Sequence, residues 1–149
     1  MGKISTKINL EITKIEDTEL QNKIQSLKPA IRLFCKIKFS EIASPRDAII
    51  DTGAHISVLP LQTWKQIKTD IKAEHFMKGI IPDKHIPVKV GVVKGILIDN
   101  EGNESKEITF LSYLALTNNV PLILGMRDIL EKFDLHMIIS KNKAYLEEL

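Results

Sequence analysis

Between Asp47 and Pro60 the chain reads Asp-Ala-Ile-Ile-Asp-Thr-Gly-Ala-His-Ile-Ser-Val-Leu-Pro, two apolar runs of strand length separated by a polar turn. Ala48, Ile49 and Ile50 demand burial, and Gly53 permits a tight reversal, so the stretch reads as strand, turn, strand. The consequence falls on Asp51. A carboxylate delivered at the end of a buried strand needs a partner or a proton, because removing an unpaired charge from water is costly. That expense points to chemistry rather than to an aspartate that only caps its own turn.

The flanks support a mostly β chain. Ile31, Leu33, Cys35, Ile37 and Phe39 alternate with polar neighbours, which predicts a strand over 31–39. Ser40 to Arg46 then turns it back to form a hairpin that presents Asp51. Ile4, Ile8, Leu10 and Ile12 alternate as an amino-terminal strand or arm, and Asp17 to Lys28 is a short helix or a connector closed by Pro29. After Pro60, the spacing of Leu61, Trp64 and Ile67 predicts one or two helical turns with Trp64 in the core. A second hairpin is expected from segments 71–81 and 86–93 around Pro82-Asp83, and a third from 95–98 and 108–116 around Asp99 to Asn103. Leu122-Ile123-Leu124-Gly125 reads as a short buried strand opening a short helix from Met126 to Lys132. Two more short strands, 133–139 and 144–146, turn about Asn142.

At 149 residues the chain suits one domain, 1–149, with 1–29 as a strand or arm and the core over 30–149. A net charge of +2, with both signs interspersed, leaves no basic stripe to follow a phosphate backbone, so no nucleic acid partner is expected. The lone Cys35 lies among apolar residues and reads as a small buried hydrophobe. With no signal-peptide pattern and no apolar run long enough to span a bilayer, the expectation is a cytoplasmic protein with no membrane partner. His55, His75, His85 and His136 show no short pair spacing of the metal-binding kind; no metal and no cofactor are expected.

The chemistry follows from residue types. Thr52 offers a hydroxyl able to bond across to a second loop, Gly53 keeps the backbone clear of substrate or partner, and Ala54 keeps the cleft floor small. Hydrolysing a peptide bond with carboxylates alone takes two of them around one water. One is ionised to accept a proton and the other is protonated to polarise the carbonyl, because like charges about 3 Å apart cannot both ionise. Only one Asp-Thr/Ser-Gly occurs in the chain, so an active site of this kind would need Asp51 from each of two identical chains.

In the order hairpin, Asp51-Thr52-Gly53-Ala54, hairpin, Leu122-Ile123-Leu124-Gly125 and helix, the chain resembles the retropepsin-like aspartic proteases from about Ile31 to its end. The resemblance implies a mostly β, retropepsin-like closed barrel or sandwich with one or two short helices, half of a pepsin-like bilobal fold. It implies an aspartic-type endopeptidase acting as a homodimer on peptide or protein substrates, with Asp51 catalytic and Thr52 and Gly53 in support. Ala54, Gly79, Ile80 and Ile123 are then expected to touch substrate, Gly79 and Ile80 from a flap hairpin whose tip falls within 78–85. Two departures set an alternative beside it. Only Gly79 loosens the flap segment, and His55 stands where the retroviral enzymes carry an acid that pairs with an arginine, so that Arg127 has no charged partner there. The alternative is a catalytically weak or inactive protease-like domain serving dimerisation or peptide binding.

Overall fold

The computed structural model describes residues 6–24, 30–78 and 85–148. The architecture is mostly β and sandwich-like, with two short helices, as the alternation and turn spacing predict. A large sheet runs in the order β2 (Glu11–Ile15), β3 (Ala30–Lys38), β4 (Arg46–Ile50), β9 (Ile123–Leu124), β5 (Ser57–Leu59), β8 (Ile108–Ala115), β7 (His85–Ile98), β6 (Asp70–Lys78). It curls back on itself where the end of β7 pairs with β3, Ile37 opposite Leu97. A smaller sheet runs β1 (Thr6–Asn9), β11 (Lys143–Glu148), β10 (Phe133–Ile138). One buried cluster joins the two, from Ile8 and Leu146 through Ile37, Phe39 and Leu97 to Leu59, Phe110 and Leu124.

The β3–β4 hairpin forms as its alternation predicts, with Leu33, Cys35 and Ile37 inward. Burial pushes the Cys35 thiol up to about 12, with a smaller push from the Asp99 charge, so the sulfur stays protonated and serves as packing. Trp64 closes the single turn of α2 (Leu61–Trp64), buried, with its indole N–H donating to the Ala115 carbonyl at 2.7 Å. Asn142 takes the left-handed conformation, φ 53°, that the β10–β11 reversal requires. Helix α1 (Thr18–Lys23) begins at an Asp17 cap that accepts from the Leu20 N–H, and it buries none of its side chains.

Three local expectations give way to longer-range contacts. The amino-terminal alternation breaks at Leu10: β1 pairs with β11 in the small sheet, and β2 pairs with β3 in the large one. The two stretches read as separate strands at 86–93 and 95–98 are one strand of 14 residues, β7. Gly91 and Gly95 do not break it. They mark close approaches, since a Cβ would sit 3.0 Å from the Asp70 carbonyl at Gly91 and 2.8 Å from Ile37 Cδ1 at Gly95. The helix expected over Met126–Lys132 is a turn that tightens into 3-10 geometry only at Leu130–Lys132, because Asp128 adopts φ 65° and interrupts a helical run.

Candidate active site

Asp51 follows the last residue of β4, and its backbone N–H donates to the Leu124 carbonyl at 3.0 Å. The loop from Asp51 to Ile56 then runs into β5, all three residues of which are buried. Between the arms of this loop lies β9. It pairs parallel with β4, Ile49 opposite Ile123 and Ile50 opposite Leu124, and antiparallel with β5, Val58 opposite Ile123. The second apolar motif expected from the sequence therefore stands directly beside the first.

The end of β9 clamps the loop through backbone groups. Met126 N–H donates to the Ala54 carbonyl at 2.8 Å and Arg127 N–H to the His55 carbonyl at 2.9 Å. Gly125 is buried where no side chain fits: a Cβ would lie 2.7 Å from the Ala54 oxygen and 3.0 Å from the Ile56 carbonyl carbon. Its N–H donates to the buried Ser57 hydroxyl at 3.0 Å. Sequence reasoning passed over Ser57. Its signal was a lone hydroxyl inside the apolar run Ile56-Ser57-Val58-Leu59, where a buried polar group requires a partner.

With its backbone held this way, the Asp51 side chain carries little structural duty. Its Oδ1 accepts from the Gly53 N–H at 2.9 Å, the one hydrogen bond to this carboxylate among the described residues. A Cβ at Gly53 would stand 3.2 Å from that same oxygen, so the glycine keeps the carboxylate itself uncrowded. Asp51 is half-buried and Thr52 is exposed beside it. Ala54 is half-buried on the far side of the turn. Gly79 and Ile80, expected at the hairpin tip, lie outside the described residues.

Two clefts meet at this loop. One, of about 550 Å³, is lined by Ile31, Leu33, Ile49, Asp51, Thr52, Pro121, Ile123, Met137 and Ile139, with Arg32 as its one basic group among the described residues. The other, of about 620 Å³, lies between the loop and the β6–β7 hairpin and is lined by Ala54, His55, Ile56, Val58, His75, Phe76, Met77, His85, Tyr113 and Ile123. Ile123 forms part of both. The His75 ring lies nearly parallel to Tyr113 with centroids 6.2 Å apart, and Phe76 meets His85 edge-on at 6.3 Å. Among the described residues, no carboxylate lines this second cleft. Arg127 places its Nε 4.0 Å from an Asp128 oxygen.

One further polar group stands apart. Asp134, His136 and Glu147 bring ligand atoms within 4.8 Å of one another across the β10–β11 pair. Lys7 already approaches this group, its ammonium 3.8 Å from Glu147 and over the Tyr145 ring. Spacing among histidines could not reveal this cluster, because its carboxylates come from two strands.

No family model matches the chain, and no curated protein matches it. Among solved structures it is similar to a retropepsin-like aspartic protease from Rickettsia conorii, at 15% identity and a TM-score of 0.50, over 99% of this chain and 98% of that one. At such identity the likeness is one of fold: this chain adopts a retropepsin-like, mostly β fold along nearly its whole length.

Proposed function

We propose that this chain is an aspartic endopeptidase, active as a homodimer, that hydrolyses peptide or protein substrates with a water held between two copies of Asp51. The observation that carries this reading is a carboxylate freed from structural work. Asp51 accepts one hydrogen bond among the described residues, sits on a loop clamped by backbone groups, and lines one cleft, while Ala54 to Ile56 of the same loop line a second. A fold shared with a retropepsin-like protease supports it.

In the dimer the two carboxylates share one proton, because like charges so close together cannot both ionise. The ionised member takes a proton from water as it attacks the scissile carbon. The protonated member donates to the carbonyl oxygen, which gives a gem-diol that collapses as the leaving nitrogen is protonated. Thr52 and Gly53 support the pair, Thr52 by bonding across to the second loop. The trough lined by Ala54, Ile123, Tyr113 and the β6–β7 hairpin receives an extended peptide, which Gly79 and Ile80 also contact. Each chain acts as one domain.

Asp51→Asn tests this directly in a peptide-library cleavage assay at about pH 5. Cleavage is expected to fall on the order of 10³-fold or more while the dimer persists. Cleavage by Asp51→Asn at the parental rate would sink the reading. Activity per chain is also expected to fall on dilution below the dimer dissociation constant. The alternative, a peptide-binding domain without turnover, is favoured by the imidazole-lined cleft. It predicts peptide binding without cleavage, and no preference for a hydroxyl transition-state mimic over a plain peptide of equal length.

A further inference from the structure

Three of the four histidines in the chain line one cleft. They arrive from separate segments: His55 from the loop after Asp51, His75 from β6, and His85 from the first position of β7. All three are exposed, so a ligand in the cleft can reach each imidazole. The His55 carbonyl accepts from the Arg127 N–H, which ties that imidazole's backbone to the clamp holding the Asp51 loop. His75 rests against Tyr113, and His85 meets Phe76, itself 59% exposed. Among the described residues, β5, β6, β7, β8 and β9 bring no titratable group to this wall beyond the imidazoles and the Tyr113 hydroxyl. The rest of the wall is apolar. A shared metal ion does not account for the grouping, because among the described residues the one set of three ligand atoms close enough to hold an ion is Asp134, His136 and Glu147, on the other sheet.

We propose that this cleft selects peptides bearing an acidic side chain, and that His55, His75 and His85 are the groups that bind its carboxylate. The inference rests on the proposed function only in making such a peptide a substrate; the binding preference itself requires no cleavage. An ordinary imidazole holds a second proton below about pH 6.5, and a Glu side chain in a peptide loses its proton above about pH 4.3. Around pH 5 the two carry opposite charges. Each imidazolium then has two N–H donors to offer, and a carboxylate accepts at both oxygens. The wall presents no carboxylate that would repel such a ligand, whereas a Lys-bearing or Arg-bearing peptide meets like charge there. Ile56, Val58, Met77 and Ile123 supply apolar contact for the neighbouring side chains of an extended peptide. Because the imidazoles are exposed, solvent screens each pairing, and the preference is of the order of tenfold rather than thousandfold.

Fluorescence anisotropy of labelled peptides on the full chain bearing Asp51→Asn separates binding from turnover. The probes are extended peptides with one Glu placed at successive positions, each matched by the same peptide with Gln there. For at least one position the Glu peptide is expected to bind about tenfold tighter than its Gln match at about pH 5 and low salt, and the gap should close at about pH 8 and in about 1 M salt. Adding His55→Gln, His75→Gln and His85→Gln together should bring the Glu peptide down to the affinity of the Gln peptide and leave the latter unchanged. His136→Gln, outside the cleft, should preserve the preference. Should the triple variant unfold, the single variants His55→Gln and His85→Gln read the same wall, each losing about two- to threefold of the preference. Equal binding of Glu and Gln peptides at every position, a preference that survives loss of the imidazoles, or binding of no peptide at all would overturn the inference. A preference for Glu in a chain whose unaltered form cleaves none of the peptides would leave the inference standing and remove the protease reading. Cleavage by the unaltered chain with equal binding of Glu and Gln peptides would do the reverse.

Discussion

Asp51 and Asp99 occupy matching positions: each follows the end of an apolar strand, each opens a turn, and each is half-buried. Their loops are held in opposite ways. The Asp99 carboxylate accepts from the backbone N–H and side-chain amide of Asn9, the N–H of Glu101, and the N–H and side-chain amide of Asn103, all at 2.8–3.0 Å. Burial alone would raise its pKa, yet those donors outweigh burial and hold the carboxyl below its ordinary 3.8. The Asp51 carboxylate accepts once, from Gly53, while its loop is tied by the N–H groups of Gly125, Met126 and Arg127. One charge is consumed by folding; the other is left for a proton, a water or a partner. An aspartate after an apolar run is thus not diagnostic until its hydrogen bonds are counted.

Breaking the clamp should have the largest effect on folding. Gly125→Ala places a Cβ against backbone atoms of Ala54 and Ile56 that have no rotamer in which to escape, and a loss of about 3 kcal/mol is expected in urea unfolding. Ser57→Ala, which strands the buried Gly125 N–H, should cost about 2 kcal/mol in the same measurement. Both variants leave the Asp51 side chain in place.

A matched pair of truncations sharpens the contrast between the two aspartates. Asp99→Ala should destabilise the fold by about 1–2 kcal/mol at neutral pH, since several donors lose an ionised acceptor but regain water at this partly open site. Asp51→Ala should change stability by less than about 1 kcal/mol. The reverse order would refute the comparison. Because the Asp99 pKa is lowered on folding, its contribution is present above the unfolded value and is lost as the pH falls through the folded one. The stability gap between parent and Asp99→Ala should therefore narrow below about pH 4, as urea midpoints at pH 6 and pH 3 would show.

Local periodicity made much of this molecule legible. The β3–β4 hairpin, the Asp51 turn, the α2 turn with its buried Trp64 and the reversal at Asn142 all follow from alternation, helical spacing or a residue tolerant of positive φ. The failures share one cause. Alternation reports which side chains face inward, not which strand lies alongside, so the change of sheet at Leu10 and the continuity of β7 through Gly91 and Gly95 were both invisible. At Met126–Lys132 the pattern suited a helix, but Asp128 turns left-handed and its carboxylate accepts from the Leu111 N–H on β8 instead.

The amino-acid order alone determined that a carboxylate would arrive at the end of a buried strand, followed by a turn with almost no side chain, because burial and backbone sterics act over a few neighbours. Tertiary structure decided everything that frees this carboxylate. It set β9 between β4 and β5, gave the Gly125 N–H to Ser57, and gathered Ile31, Met137 and Ile139 at one cleft and three imidazoles at the other. Those pairings join residues far apart in the chain, and their free energy exists only once both partners have been brought together.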